Sequence, residues 1–332
     1  MRKVFCWFCV LFVLLSVGLF ANGEAEGASS GKVVLKLANV LSPTDIFSKE
    51  FEAMADRIIE RTDGTLEIQV FSGGVLGGQK DNLEQIVRGV NLITFTDPAQ
   101  ISDYVPDFGI MNAPYIFKDP SEITKLGSSD WHAEMRALAS EQGLKVLDMD
   151  WLYGVRHLIS NEVITSPEDM QGLKVRVPST NMWIATIKAM GGTPTVVQWS
   201  EAYSALGQGV VDAAESPIAN LYIAKFHEVA KNVALTGHFT AASGLVMSQE
   251  IFETLSEEQQ TVLMEEVNKT GEILMAAVLK NTEDYKKKME EAGVTFNEVD
   301  REAFRLACRS VYDEFPNWSD GLAEKIQTIL SE

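Results

Sequence analysis

Ser256-Glu257-Glu258-Gln259 opens a proline-free stretch, SEEQQTVLMEEVNKTGEILMAAVLKNTEDYKKKMEEAG, over residues 256–293. The serine and the glutamine three places later form a capping box, which satisfies backbone donors at a helix start. Helical character then runs to Ala292, and Gly293 supplies the stop. Gly271 is the one interruption, costing about 1 kcal/mol, which a packed helix absorbs. At 1.5 Å per residue such a helix is on the order of 50 Å long, more than an ordinary domain of this size. It must therefore lie along two domains, or kink near Gly271.

The segments before it alternate strand and helix. Val33 to Leu37 is short, branched and apolar, as in a buried strand. Ser42-Pro43-Thr44-Asp45 marks a helix start, and Phe47, Phe51, Met54, Ala55, Ile58 and Ile59 give that helix one apolar face. Leu66, Ile68 and Val70 alternate with Glu67 and Gln69, the period of a strand with one covered face. This strand–helix–strand unit opens an α/β domain. A glycine-rich turn (Ser72 to Gly78), a helix through Leu83 and Val87, and a strand at Leu92 to Thr96 follow. Strands are expected at Leu144 to Met149, Arg156 to Ile159, Leu173 to Val177 and Val210 to Ala214. Helices are expected at Trp131 to Gln142, Asn181 to Met190 and Glu201 to Leu206. A second block opens near Val155 with no low-complexity linker, so several short crossings should join the domains.

Composition bounds the function. The chain has 332 residues, 46% of them hydrophobic and 23% charged, a globular balance with length for two domains. A net charge of -19 repels nucleic acid. Arg2 and Lys3, the apolar run Val4 to Phe20, and Ala21-Asn22-Gly23 read as a signal peptide over residues 1–23, with an uncleaved anchor as the alternative. Cys6 and Cys9 would leave with it, and Cys308 alone cannot form an internal disulfide. His132, His157, His227 and His238 show no metal spacing, so neither a metal nor a cofactor is expected. Gly73, Gly74, Gly77 and Gly78 match neither phosphate-binding glycine pattern and read as a strand-to-helix turn. No nucleophile elbow or zinc-protease helix is present.

Leu173, Val175 and Val177 form one face of a strand and leave Arg176 on the other. Strand ends in α/β sheets border ligand crevices, where a guanidinium grips a carboxylate with two parallel hydrogen bonds. A solvated strand face is the alternative reading of that arginine.

Four stretches together resemble the signature region of the TRAP-transporter solute receptors of the dicarboxylate-receptor (DctP) type. They are Gly172-Leu173-Lys174-Val175-Arg176-Val177-Pro178, Gly191-Gly192-Thr193-Pro194, Trp199-Ser200-Glu201-Ala202-Tyr203-Ser204-Ala205-Leu206 and Gly209-Val210-Val211-Asp212-Ala213-Ala214-Glu215. Leu37-Ala38-Asn39-Val40 and Ala113-Pro114-Tyr115-Ile116-Phe117 agree with it. The resemblance implies a two-domain α/β fold of the periplasmic-binding-protein kind, with an interdomain cleft and one long helix spanning both domains. One domain is expected at 32–154 plus 242–280, the other at 155–241 plus 281–332. It also implies a non-enzymatic receptor that hands a small organic carboxylate to membrane-embedded TRAP permease subunits; the signal peptide would export it, and a monomer is the default expectation. The expected ligand contacts are Arg176 on the carboxylate, Arg156 as a second arginine, Asn39 from the other domain, and Ser179. Ser216 stands where the family often has asparagine, leaving a larger or drier pocket. Trp199 either faces a ligand with an apolar body, with Phe95, Tyr115 and Tyr153 near it, or packs in the core. Glu215 is the residue a co-bound cation would use, although nothing in the sequence requires one. A receptor for an ATP-driven importer, a ligand sensor and a secreted α/β hydrolase or lyase remain as alternatives.

Overall fold

The computed structural model describes residues 32–332, so the signal peptide expected at 1–23 lies outside them. Nine strands form one sheet: β1 (Val33–Ala38), β2 (Leu66–Phe71), β3 (Leu92–Thr96), β4 (Leu144–Ser160), β5 (Lys174–Val177), β6 (Thr193–Val196), β7 (Ala213–Pro217), β8 (Asn232–Ser248) and β9 (Thr295–Asn297). Their order is β2-β1-β3-β8-β4-β7-β5-β6, with β9 on β8. At one end β2, β1 and β3 run parallel, and at the other so do β7, β5 and β6.

Two 17-residue strands, β4 and β8, join these ends as an antiparallel pair. Leu144 to Val146 pair with Val246 to Ser248 beside β3, whereas Arg156 to Ser160 pair with β7. The sequence suggests two strands separated near Val155; the structure makes them one. Register shifts between Val146 and Asp148, Asp148 and Trp151, and Leu152 and Gly154 bend the pair midway. A bulge adds a residue on one strand and increases the local twist. Gly154 sits there at φ +134°, which a side chain rarely adopts, and an added Cβ would lie 2.8 Å from Pro217 Cβ.

Nothing in the sequence reading flagged β8. Its pattern NVALTGHFTAASGLVMS is buried on both faces along nearly its whole length, so it shows no alternation. The edge strand β6, Thr-Pro-Thr-Val, was also unforeseen, because proline argues against a central strand and is tolerated at an edge. The first helix begins later than Ser42-Pro43 suggests. It spans Ile46–Arg61 and takes Asp45 as its cap, whose carboxylate accepts from Phe47 N. The glycine turn behaves as expected, since Gly73 N and Gly74 N are spent on Leu41 O and Asn39 O.

The long helix, Glu257–Glu291, has the expected capping box at Ser256 and Gln259. Arg57 and Arg61 of the first helix pair with its buried Glu266 at 2.6 and 2.9 Å. Its far end puts Met289 into a second, smaller core with Ile159, Ala214, Leu221 and Phe226, so the helix reaches both ends of the sheet. At Gly271 an added Cβ would come within 2.2 Å of Trp151 Nε1, on the strand that crosses between the two ends. Beyond the helix, the chain returns to the β1–β3 side. Tyr312 OH donates to Pro114 O at 2.8 Å, and Gln327 Nε2 to Ile116 O at 2.9 Å.

Candidate ligand-binding site

Where β4 and β8 bend, a cavity with about 550 Å³ of empty space, including its mouth, opens between the two ends of the sheet. Tyr153 and Arg156 of β4 and Ala241 to Ser243 of β8 form its floor. Phe95, Thr96 and Asp97 at the end of β3, with Asn112, line one side. Arg176 and Pro178 at the end of β5, with Trp183 and Trp199, line the other, and Ser216 enters from β7.

The two arginines are held differently. Arg156 makes a fork on Glu215, with Nε 2.5 Å from Oε2 and Nη2 2.8 Å from Oε1. Trp183 Nε1 adds a donor to the same carboxylate at 3.0 Å. Burial disfavours the Glu215 charge, but Arg156 and then His238 outweigh it and hold the carboxyl at about 2. Burial likewise works against the charge of Arg156, and Glu215 lifts its pKa above the ordinary value. His238 supports the pair from behind: Nδ1 lies 2.7 Å from Thr236 Oγ1, and Nε2 lies 3.6 Å from Glu215 Oε2.

Arg176 has no carboxylate partner among the described residues. Its Nε donates to Val197 O at 2.9 Å, and its guanidinium carbon sits 5.2 Å from the centre of the Trp199 ring. That contact is worth about 0.5–2 kcal/mol and keeps the plane oriented. Neither Nη atom has a hydrogen-bond partner among the described residues, although the residue is only 4% exposed. Burial pulls its pKa down to about 10, with Glu215 opposing and Arg156 adding to the effect.

More unspent polar groups line the same space. Thr96 Oγ1 and Ser243 Oγ are buried without partners. Asp97 Oδ1 accepts from Ala99 N at 3.0 Å, Gln100 N at 3.3 Å and Asn112 Nδ2 at 3.2 Å. Its Oδ2 takes no hydrogen bond among the described residues. Unpaired buried polar atoms also occur elsewhere in the molecule, but Thr96 Oγ1 and Ser243 Oγ share this cavity with the free edge of Arg176, where a polar molecule would complete all three.

The structure brings Arg176, Arg156, Trp199 and Ser216 to this cavity and places Glu215 directly behind Arg156. Asn39, expected to face a ligand, does not line it. Its Oδ1 accepts from Leu41 N and Ser48 Oγ and its Nδ2 donates to Ser72 Oγ, so the amide is committed to shaping the loop after β1. Ser179 is half-buried and also off the lining. Of the three aromatic residues expected near Trp199, Phe95 and Tyr153 line the cavity, whereas Tyr115 donates its hydroxyl to Thr236 O at 3.2 Å. Asp97, Asn112, Trp183, Thr96 and Ser243 were not singled out. Asp97 had a legible signal, because it follows a buried parallel strand at its C-terminal end, where α/β sheets place ligand contacts.

A sheet shared by two halves that meet over a cation-bearing cavity defines a two-domain binding protein of the periplasmic type. The chain belongs to the bacterial extracellular solute-binding protein family 7, the DctP family of TRAP receptors, which it matches over residues 37–317. A TRAP periplasmic solute-binding protein of Fusobacterium nucleatum, solved with sn-glycerol-3-phosphate, is 35% identical. It covers 90% of this chain and 97% of its own at a TM-score of 0.88. One from Ochrobacterium anthropi, solved with L-fuconate, is 34% identical over 90% of this chain and all of its own, at a TM-score of 0.87. An open, ligand-free receptor of Escherichia fergusonii is 33% identical over 90% of this chain and 99% of its own, yet reaches a TM-score of only 0.76. The chain therefore resembles the ligand-bound arrangement more than the open one.

Proposed function

We propose that this protein captures a small organic acid between its two domains and delivers it unchanged to a TRAP permease. Arg176 is the anchor, and Arg156, neutralised by Glu215, lines the cavity as a second arginine. The observation that carries this reading is the buried guanidinium of Arg176, oriented by Val197 O and Trp199 and lacking a carboxylate of its own. A ligand acid would supply that carboxylate, in a dry site where the pair is far stronger than in water. The two ligand-bound relatives hold small anions, sn-glycerol-3-phosphate and L-fuconate, which supports this reading.

We assign residues 32–154 with 242–280 to one domain and residues 155–241 with the end of the long helix to the other. The C-terminal residues from Tyr312 group with the first domain, on which they dock. Closure occurs by bending at the β4–β8 bulges, and a ligand touching both domains stabilises the closed form. The basic, apolar start of the chain exports it, and the receptor acts as a monomer.

Calorimetric titration of the purified protein against small organic acids tests this. Micromolar or tighter binding is expected, weakened at least tenfold in Arg176→Lys, which keeps the charge and loses the planar fork. Unchanged affinity in that variant would remove Arg176 from the site. Chemical turnover of the bound acid would sink the receptor role.

A further inference from the structure

The turn between β2 and the helix Gln79–Val87 holds Gly73, Gly74, Gly77 and Gly78, and backbone geometry explains the first three. They sit at φ +79°, +75° and +111°, where a side chain is strained. Gly78 does not. It caps the helix at φ -74° and ψ 170°, an extended conformation open to any residue. Serine, threonine, aspartate and asparagine are at home in such a place, because their side chains accept from the first free N–H groups of a helix. Gly78 brings no such acceptor. The space beside it gives the reason: a Cβ there would lie 2.8 Å from Oε1 and 3.2 Å from Nε2 of Gln198. Gln198 caps the helix Trp199–Gly207, which follows β6. Its neighbours in the chain are the two residues that hold Arg176, Val197 through its carbonyl and Trp199 through its ring. Gln79, next to Gly78, and Trp199 both line the ligand cavity, so the Gly78–Gln198 contact lies at the cavity's edge and joins the two sides of the cleft.

We propose that Gly78 is a positioning residue for ligand capture: its bare backbone lets the Gln198 side chain seat against the cap of the opposite helix as the cleft closes, and this seat fixes the Val197–Trp199 segment that holds Arg176. This rests on the organic-acid reading above and deepens it. A side chain at position 78 would keep Gln198 off the helix cap and leave the segment behind Arg176 less firmly placed. The contact joins the two sides of the cleft, so its loss acts on the closed form and spares the open one. A ligand that binds the closed form then loses apparent affinity in proportion to the closed population. Gln198 is exposed, and its amide can turn aside from a single methyl, so a branched side chain at 78 is the sharper probe. An added Cβ also comes within 3.3 Å of Asp81 Oδ2. That second contact is the same whatever stands at position 198, so removing the glutamine isolates the first.

Gly78→Thr tests this, because threonine suits a helix cap and fills the space that Gln198 takes. Without ligand, its thermal midpoint should equal or exceed that of the wild type. Calorimetric titration with L-fuconate, D-gluconate, sn-glycerol-3-phosphate and succinate then gives the affinity. For whichever of these the wild type binds tightest, Gly78→Thr should bind at least about fivefold more weakly, an ordinary coupling for side chains in contact. Gln198→Ala removes the group that threonine displaces, so the double variant should bind within about twofold of Gln198→Ala alone. A glycine that only kept the turn folded would lower the thermal midpoint when replaced, and Gln198→Ala would not rescue it. Wild-type affinity in Gly78→Thr, or an equal loss with glutamine or alanine at 198, overturns the proposal and leaves the receptor reading standing. Silence of the wild type toward every one of these acids overturns both. Should circular dichroism show that Gly78→Thr does not fold, Gly78→Ser is judged by the same two comparisons.

Discussion

Asp45 and Asn220 stand 175 positions apart and meet side chain to side chain, with Asn220 Nδ2 donating to Asp45 Oδ2 at 3.0 Å. Asp45 caps the first helix on the β1–β3 side, and Asn220 lies in the short helix Ile218–Ile223 that follows β7. Both are buried, and neither lines the ligand cavity. The bond therefore fastens one domain to the other without touching the ligand. Asn220→Ala should cost the closed form about 1 kcal/mol, a loss of roughly fivefold in apparent affinity. Titration would give the affinity, and small-angle scattering should show a more extended ligand-free molecule. An unaltered affinity would mean that the bond forms equally in the open state.

Buried carboxyls shifted in opposite directions should give stability a two-sided dependence on pH. Burial raises Asp45 and Asp97 from 3.8 to about 6. A carboxyl with a raised pKa binds its proton better in the folded chain, so its contribution is present below the ordinary value and lost as pH rises through about 6. Glu215 has the opposite sign: held at about 2, it contributes above its ordinary value and that contribution is lost as pH falls toward 2. Burial holds His132 at about 4 and His157 at about 3, and as pH falls below about 6.5 they work against the aspartates' gain, so the aspartate share is read as a difference. From pH 7.5 to 5 the thermal midpoint of the wild type should gain on that of Asp45→Asn; an equal change in both would show that Asp45 keeps its ordinary pKa.

Glu215→Gln tests the Arg156 pair. The amide is nearly the same size but leaves a buried guanidinium without its counter-charge, which typically costs about 3–5 kcal/mol. Urea unfolding at pH 7 should show that loss, together with a shallower fall on the acid side. Binding would weaken as well, because Arg156 would be free to swing. A change smaller than about 1 kcal/mol would mean that Glu215 is not the partner that fixes Arg156.

Gly271→Ala should destabilise the protein although alanine is the better helix former. Propensity favours the variant by about 1 kcal/mol. Against that, the new methyl would sit 2.2 Å from the indole nitrogen of Trp151, a fully buried side chain with no room to move. Overpacking of this kind typically costs about 1–3 kcal/mol, so the net change should be a loss. A higher melting temperature would show that the helix and β4 separate easily.

The local signals in the chain were strong where one face of an element meets solvent. The helix face Phe47, Phe51, Met54 and Ile58, the alternation through Leu66 and Ile68, and the capping box at Ser256 each gave the observed element. Arg176 was legible from its place opposite Leu173, Val175 and Val177 near a strand end, whereas Arg156 entered only through the resemblance to the family. Asn39 misled, because an amide after a strand serves a turn as readily as a ligand.

The sequence by itself determined the α/β class, the long helix, the family and the pair of arginines, since each rests on spacing within one segment or on a string of motifs. Only the tertiary structure decided that β4 and β8 pass unbroken between the domains, because strands buried on both faces lose their period. It alone separated the arginine neutralised by Glu215 from the one left free. It also brought Asp97 opposite Arg176 and Asp45 onto Asn220. Charge balance and orphaned hydrogen bonds belong to groups far apart in the chain, and they come into being only when the sheet sets those groups around one space.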